Sequence, residues 1–208
     1  MLAIKTDVSM QQQAENFINQ TLEHFDHIDI LIHNAGIAGY SYINNSNLED
    51  IQKIMNTNYW DMVYCIHSCL PSMIRSRKGK IVNISSIVRK RAMPLMGAYS
   101  ASKFAIEGFS ESLEAEVKNF GIDVIVICPT TTKTNFVNNA FEGDDLKPKL
   151  IGMSSERVAK ETINAILDNK REHILGFGEN VGLKINNLLP SFVDNLLTLA
   201  PKFLLKEQ

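Results

Sequence analysis

The sequence lacks most of the features that would narrow a function quickly. Its formal charge is only −2, from 21 basic and 23 acidic side chains. Such a balance does not call for nucleic acid or an anionic membrane as partner. No apolar run approaches the roughly 18 residues of a membrane span. The stretch from Met1 to Gln13 has no long apolar core and meets Asp7 early, unlike a secretory leader. No repeat and no low-complexity linker interrupts the 208 residues. There are three cysteines, Cys65, Cys69 and Cys128. An odd count without a disulfide-like framework suits a reducing compartment, and the expected location is the cytoplasm. Cys65 and Cys69 stand four apart and would share one helix face. They offer half of a metal site, but no second ligand pair follows in sequence. Buried small hydrophobes are the preferred reading, and no metal is assigned.

What is present is ordinary globular composition, 45% hydrophobic and 21% charged, enough for the core of one domain. Apolar runs of strand length alternate with longer helical patterns. Leu2–Ile4 is a short run ending at Asp7-Val8. Met10 to Phe25 reads as a helix, with Ala14, Phe17, Ile18 and Leu22 at helical spacing and Ser9 as N-cap. Ile28 to Ile32 is nearly continuous apolar sequence, as expected of a strand covered on both faces, and ends in Asn34-Ala35-Gly36. Leu48 to Met73 reads as a helix with a break, ending near Pro71. Lys80 to Ile84 is the next strand, closed by Ser85-Ser86. Tyr99 to Asn119 is an amphipathic helix stopped by Gly121. Asp123 to Cys128 is another buried strand, closed by Pro129. A helix capped by Ser154 or Ser155 runs to about Asn169, and His173 to Phe177 is a last strand. Alternation of this kind implies a doubly wound, Rossmann-like α/β sheet with ligands at the carboxyl ends of its strands.

Tyr99 and Lys103 lie four apart at the start of a helix, on one face. An ammonium beside a phenol stabilises the phenolate and is expected to lower its pKa from about 10. A phenol tuned in this way can exchange protons with a carbonyl/alcohol pair. Ser86, 13 residues before Tyr99, ends a strand where its hydroxyl can stabilise negative charge on a substrate oxygen. Singly, these are weak signals: most Tyr-x-x-x-Lys pairs are surface pairs, and a strand-end serine is usually a cap.

Together, Lys-Ile-Val-Asn-Ile-Ser-Ser at 80–86 and Tyr-Ser-Ala-Ser-Lys-Phe-Ala at 99–105 resemble the short-chain dehydrogenase/reductase family. The resemblance extends to five motifs in register over almost the whole chain. Asn34, Ala35 and Gly36 match the family's Asn-Ala-Gly. Asn58 matches its catalytic asparagine, with Leu70-Pro71 following. Asp7-Val8 matches its Asp-Val, and Pro129-Thr130 matches in part its Pro-Gly, with Thr134 at the usual threonine. The resemblance implies roles. Tyr99 would be the general acid/base. Lys103 would tune it and hold the nicotinamide ribose. Ser86 would polarise the carbonyl, and Asn58 would hold a water in a proton relay to Lys103. Asn34, Ala35 and Gly36 would line the cofactor, Asp7 and Val8 would meet its adenine, Ile84 would lie under it, and Pro129 and Thr134 would flank its carboxamide.

Differences from the family pattern stand at His33 (often asparagine), Asp61 (commonly glycine) and Thr130 (glycine). Thr130 is β-branched, so its turn is expected in an ordinary backbone region. No Gly-x-x-x-Gly-x-Gly occurs. By the resemblance, the domain over 1–180 is short of about two βα units at its N-terminus, roughly fifty to sixty residues. Leu2–Ile4 then has no neighbour, and Ile28–Ile32 becomes an unpaired apolar edge. The implied cofactor is NAD or NADP, with the discriminating residue outside this sequence, and weak or no dinucleotide binding is expected of the 208-residue chain. The implied substrate is a small carbonyl or alcohol. Two functions follow: an NAD(P)-dependent oxidoreductase, or a catalytically idle relative serving as an interaction module. The helices at 48–73 and 99–119 resemble those that build family homodimers and tetramers. The tail over 181–208 reads as an amphipathic segment packing near the substrate mouth, in preference to a membrane-surface helix.

Overall fold

The computed structural model describes residues 1–136, 140–142, 152–176, 185–186, 188–199 and 201. Four strands form one sheet: β1 Ile30–His33, β2 Gly79–Ile84, β3 Ile122–Pro129 and β4 Glu172–Leu175. They lie in the order β1-β2-β3-β4, every pair parallel. Parallel neighbours need crossovers, and helices supply them. These are α1 Gln11–Phe25, α2 Leu48–Met55, α3 Asp61–Ser76, α4 Gly97–Val117, α5 Ser155–Leu167 and α6 Pro190–Leu197.

Alternation along the strands sends side chains into two layers. Leu31, Ile81 and Val124 face α1, α3 and α4, where Ala14, Ile18, Cys65, Cys69, Ile106 and Leu113 complete one core. Val82, Ile125 and Ile127 face the other way, against Ala165 and Ile166 of α5. Each buried isoleucine contributes about 2 kcal/mol of hydrophobic stabilisation. Helices thus cover both faces, and the expected doubly wound α/β sheet is present. On β1 only one side is covered. Leu31 and His33 are buried, whereas Ile30 and Ile32 are 44% and 50% exposed. The sequence-derived expectation of an apolar edge strand holds among the described residues. Leu2–Ile4 forms no strand there, because a strand is stable only with a partner ladder.

Local corrections have local causes. Ser9 does not cap α1: its hydroxyl bonds Asp7, and Met10 occupies the cap position. α3 continues through Pro71 to Ser76. A proline forfeits one backbone bond in a helix, but Met73 beyond it is buried in the main core and holds the last turn. The break in the 48–73 region is a π-helical turn over Asn56–Trp60. Gly121 stops the helix-to-β3 connection with φ 69°. Ser154 caps α5 by accepting from the Arg157 amide. Thr130 has no positive φ. Phe177, Lys184 and Lys202, all placed by the sequence in the last strand or the tail, lie outside the described residues. The described part of the tail, α6, buries none of its side chains. It meets the domain through an Arg91–Asp194 ion pair. Among the described residues no helix is long and apolar enough to cross a membrane.

Candidate active site

The carboxyl ends of β1, β2 and β3 carry Asn34–Gly36, Ser85-Ser86 and Pro129-Thr130. Strand register sets the first two side by side, since His33 pairs with Asn83. The Ser85 amide donates to the Ile127 carbonyl, so the chain leaves β2 still anchored to β3. Ser86 is extended (φ −163°) and caps a short 3₁₀ turn, accepting from the Val88 amide. That turn brings the chain round to α4, whose first turn presents Tyr99 and whose second presents Lys103. Tyr99 and Lys103 are 7% and 4% exposed.

The Ser86 hydroxyl stands beside the Tyr99 phenol, close enough to favour its ionised form. Lys103 Nζ lies 5.5 Å from the Tyr99 ring centre and donates to the Ile84 carbonyl at 2.9 Å. The expected lowering of the phenol pKa is not what the structure shows. Burial pushes Tyr99 up to about 12; the Ser86 hydroxyl opposes this and Tyr40 adds to it. The ammonium points at a backbone carbonyl rather than at the phenol oxygen, so its influence is small. Burial also pushes Lys103 down to about 8. At neutral pH this arrangement is a protonated phenol with a hydroxyl beside it, a proton donor rather than a base. The Phe136 ring packs 5.8 Å from that of Tyr99.

Asn58, in the π-helical turn, is buried and joins the turn after β1 to α4. Its Oδ1 accepts from the Ile37 amide, and its Nδ2 donates to the Ile37 carbonyl and to Ser102 Oγ. Ser102 Oγ in turn donates to the Tyr99 carbonyl. A relay water on Asn58 would therefore find both side-chain protons engaged. The side chain also positions the turn: a Cβ on Gly36 would sit 3.4 Å from Asn58 Oδ1. Ser102 is the residue that sequence reasoning passed over, although it lies inside the 99–105 motif.

The groups present fit the nicotinamide end of a dinucleotide. Asn34 and Ala35 are exposed at the end of β1. The buried Lys103 ammonium makes one hydrogen bond among the described residues, leaving two donors for ribose hydroxyls. Thr134 is exposed and accepts from the Phe136 amide. Asp7 is committed to its own turn, where its carboxylate accepts from the Ser9 amide and hydroxyl. Its neighbour Val8 is half-buried in that turn.

Residues 1–145 match the family described as short chain dehydrogenase. The chain belongs to this family. It is 34% identical over 201 residues to dehydrogenase/reductase SDR family member 7B of Xenopus tropicalis, covering 94% of the chain and 62% of that protein. It is 38% identical over 136 residues to a 3-ketodihydrosphingosine reductase of Bacteroides thetaiotaomicron, covering 65% of the chain and 49% of that protein. The chain thus spans less than two thirds of these two relatives. A short-chain dehydrogenase from Streptomyces avermitilis shares the fold with a TM-score of 0.81 at 24% identity, over 96% of this chain and 79% of that one. The Ser86–Tyr99–Lys103 group stands at the strand ends where a fold of this kind places its ligands.

Proposed function

We propose that the chain is an NAD(P)-linked oxidoreductase acting on a small carbonyl/alcohol pair. The observation that carries this reading is the buried Tyr99 with the Ser86 side chain beside it and Lys103 one helical turn away. A bound nicotinamide supplies the hydride. Tyr99, neutral at physiological pH, donates its proton to the substrate oxygen. Ser86 donates a hydrogen bond to the same oxygen and stabilises charge as it develops. Lys103 holds ribose hydroxyls with its two free donors, and Asn34–Gly36 line the same groove. A cytoplasmic location agrees with the three free cysteines. A homodimer or tetramer, as the family resemblance implies, would find exposed apolar surface at Trp60 and Phe104, within the stretches 48–73 and 99–119.

The test follows oxidation of NADH and NADPH by the purified chain at saturating dinucleotide, with a panel of ketones. A 3-keto sphingoid base belongs in the panel because a relative is named for that substrate. Tyr99→Phe is expected to lower kcat about 10²-fold or more with an unchanged fold. Equal activity in Tyr99→Phe, or none with any ketone in the unmutated chain, refutes the reading.

A further inference from the structure

A second cluster of reactive side chains lies where the end of β1 meets the start of α3. Asp61 opens α3 and is buried; its Oδ1 is 3.5 Å from Sγ of Cys65, one turn further on. His33, the last residue of β1, faces them from the sheet and is buried too, with 7% exposure. Its Nε2 has no hydrogen-bond partner. One ring nitrogen of His33, one carboxylate oxygen of Asp61 and the Cys65 sulfur all lie within 4.8 Å of one another. No other group of three such residues meets that criterion among the described residues. None of the three takes part in the Ser86–Tyr99–Lys103 chemistry.

Three polar groups converging in an apolar core demand an explanation. A core histidine is ordinarily satisfied at both nitrogens, and a buried orphan is rare because its desolvation is not offset. Burial keeps His33 uncharged, with a pKa of about 4, and pushes the Asp61 carboxyl up to about 6 and the Cys65 thiol up as well.

We propose that His33, Asp61 and Cys65 bind a divalent transition-metal ion, zinc in preference. The donor set is one imidazole nitrogen, one carboxylate oxygen and one thiolate sulfur. This mixture suits zinc and excludes calcium or magnesium, which take oxygen ligands. Bonds of about 2.0 to 2.3 Å place tetrahedral donors about 3.3 to 3.8 Å apart. The Asp61–Cys65 separation already has that value, and His33 needs only a small approach. The incoming ion displaces the Cys65 thiol proton and any proton on Asp61, so a dication meets a thiolate and a carboxylate and the charges cancel. A water completes the fourth position. The ion would pin the end of β1 to the start of α3, directly beside the Asn34–Gly36 turn and three residues from Asn58. Its task is bracing, not hydride chemistry.

The test is a cobalt titration of the full chain after chelator dialysis. One equivalent of Co²⁺ is expected to produce a thiolate-to-cobalt charge-transfer band with the strong visible absorption of a four-coordinate site. Zinc is expected to displace it and to raise Tm by about 5 °C or more at a hundredfold excess over Kd. Cys65→Ser removes the charge-transfer band, Cys128→Ser keeps it, and His33→Asn weakens cobalt binding about a hundredfold. Two results overturn the proposal without any variant. One is cobalt absorption lacking the thiolate band; the other is no zinc-dependent change in Tm. A band that survives Cys65→Ser overturns it as well.

Discussion

Asn58 Nδ2 donates a 2.9 Å hydrogen bond to Ser102 Oγ, linking two buried residues 44 positions apart. It ties the π-helical turn to the helix that presents Tyr99 and Lys103. Ser102→Ala leaves a buried amide proton unpaired and is expected to cost about 1–3 kcal/mol. Asn58→Ala also abandons both backbone groups of Ile37 and is expected to cost more, about 3–4 kcal/mol. Because the two share a bond, the double variant should fall short of the sum by about 1 kcal/mol in urea unfolding.

Lys103 gives a pH signature. Its folded pKa of about 8 lies below the ordinary 10.5. Between those values the unfolded chain binds a proton that the folded chain does not, so stability rises with pH across that window. Below pH 8 the cost is present in full, about 3 kcal/mol for the shift. Lys103→Met removes this cost but leaves the Ile84 carbonyl without its donor, a loss of about 1 kcal/mol. The variant should therefore be about 2 kcal/mol more stable than the parent at pH 7. The advantage should vanish by pH 10.5, while activity is lost. Denaturant titrations of both proteins at pH 7 and 10.5 read the difference directly.

Arg89 is fully buried between Glu107 and Glu172, and its Nε donates to Cys128 Sγ at 2.8 Å. Arg89→Met leaves the Glu107 carboxylate, which is only 15% exposed, with the more distant Lys90 as its remaining partner. A loss of about 3 kcal/mol is expected. Adding Glu107→Gln should recover part of it, because the under-compensated charge is part of the cost. Calorimetry of the single and double variants decides this.

Gly121 holds φ 69°, and a Cβ there would run into the Arg77 carbonyl. Gly121→Ala is expected to cost about 2–4 kcal/mol, from left-handed strain plus the clash. Thermal unfolding measures it. Gly108, where an added Cβ would meet no neighbour outside its own helix backbone within 4 Å, is the control: Gly108→Ala in the interior of α4 should stabilise by about 0.5–1 kcal/mol.

What was legible in the sequence was what local pattern controls. β2 and β3 are buried on both faces, so their apolar runs stand out. α1 shows its core stripe at Ala14 and Ile18, and Tyr99 and Lys103 declare their helix by spacing. The rest depends on neighbours distant in the chain. Nothing near Pro71 says that Met73 will anchor a further turn. The upward direction of the Tyr99 pKa is set by burial, with a smaller push from Tyr40 against the pull of Ser86, and the Lys103–Ile84 bond arises only in the fold. Cys65 and Cys69 read as a pair with no second pair in sequence. The structure brings His33 and Asp61 to Cys65, one from a strand and one from the preceding helical turn.

The π-helical turn at Asn56–Trp60 also has a genetic consequence. A π turn is an α-helix carrying one extra residue, taken up within the turn itself, so the helix that follows keeps the face it would have without it. Deleting a single codon there would restore an uninterrupted helix and leave Met62, Cys65, Ile66, Cys69 and Met73, now all buried, turned toward the sheet. What such a deletion puts at stake is Asn58, which reaches Ile37 and Ser102 from that turn. The asparagine, more than the length of the stretch, is the constraint there.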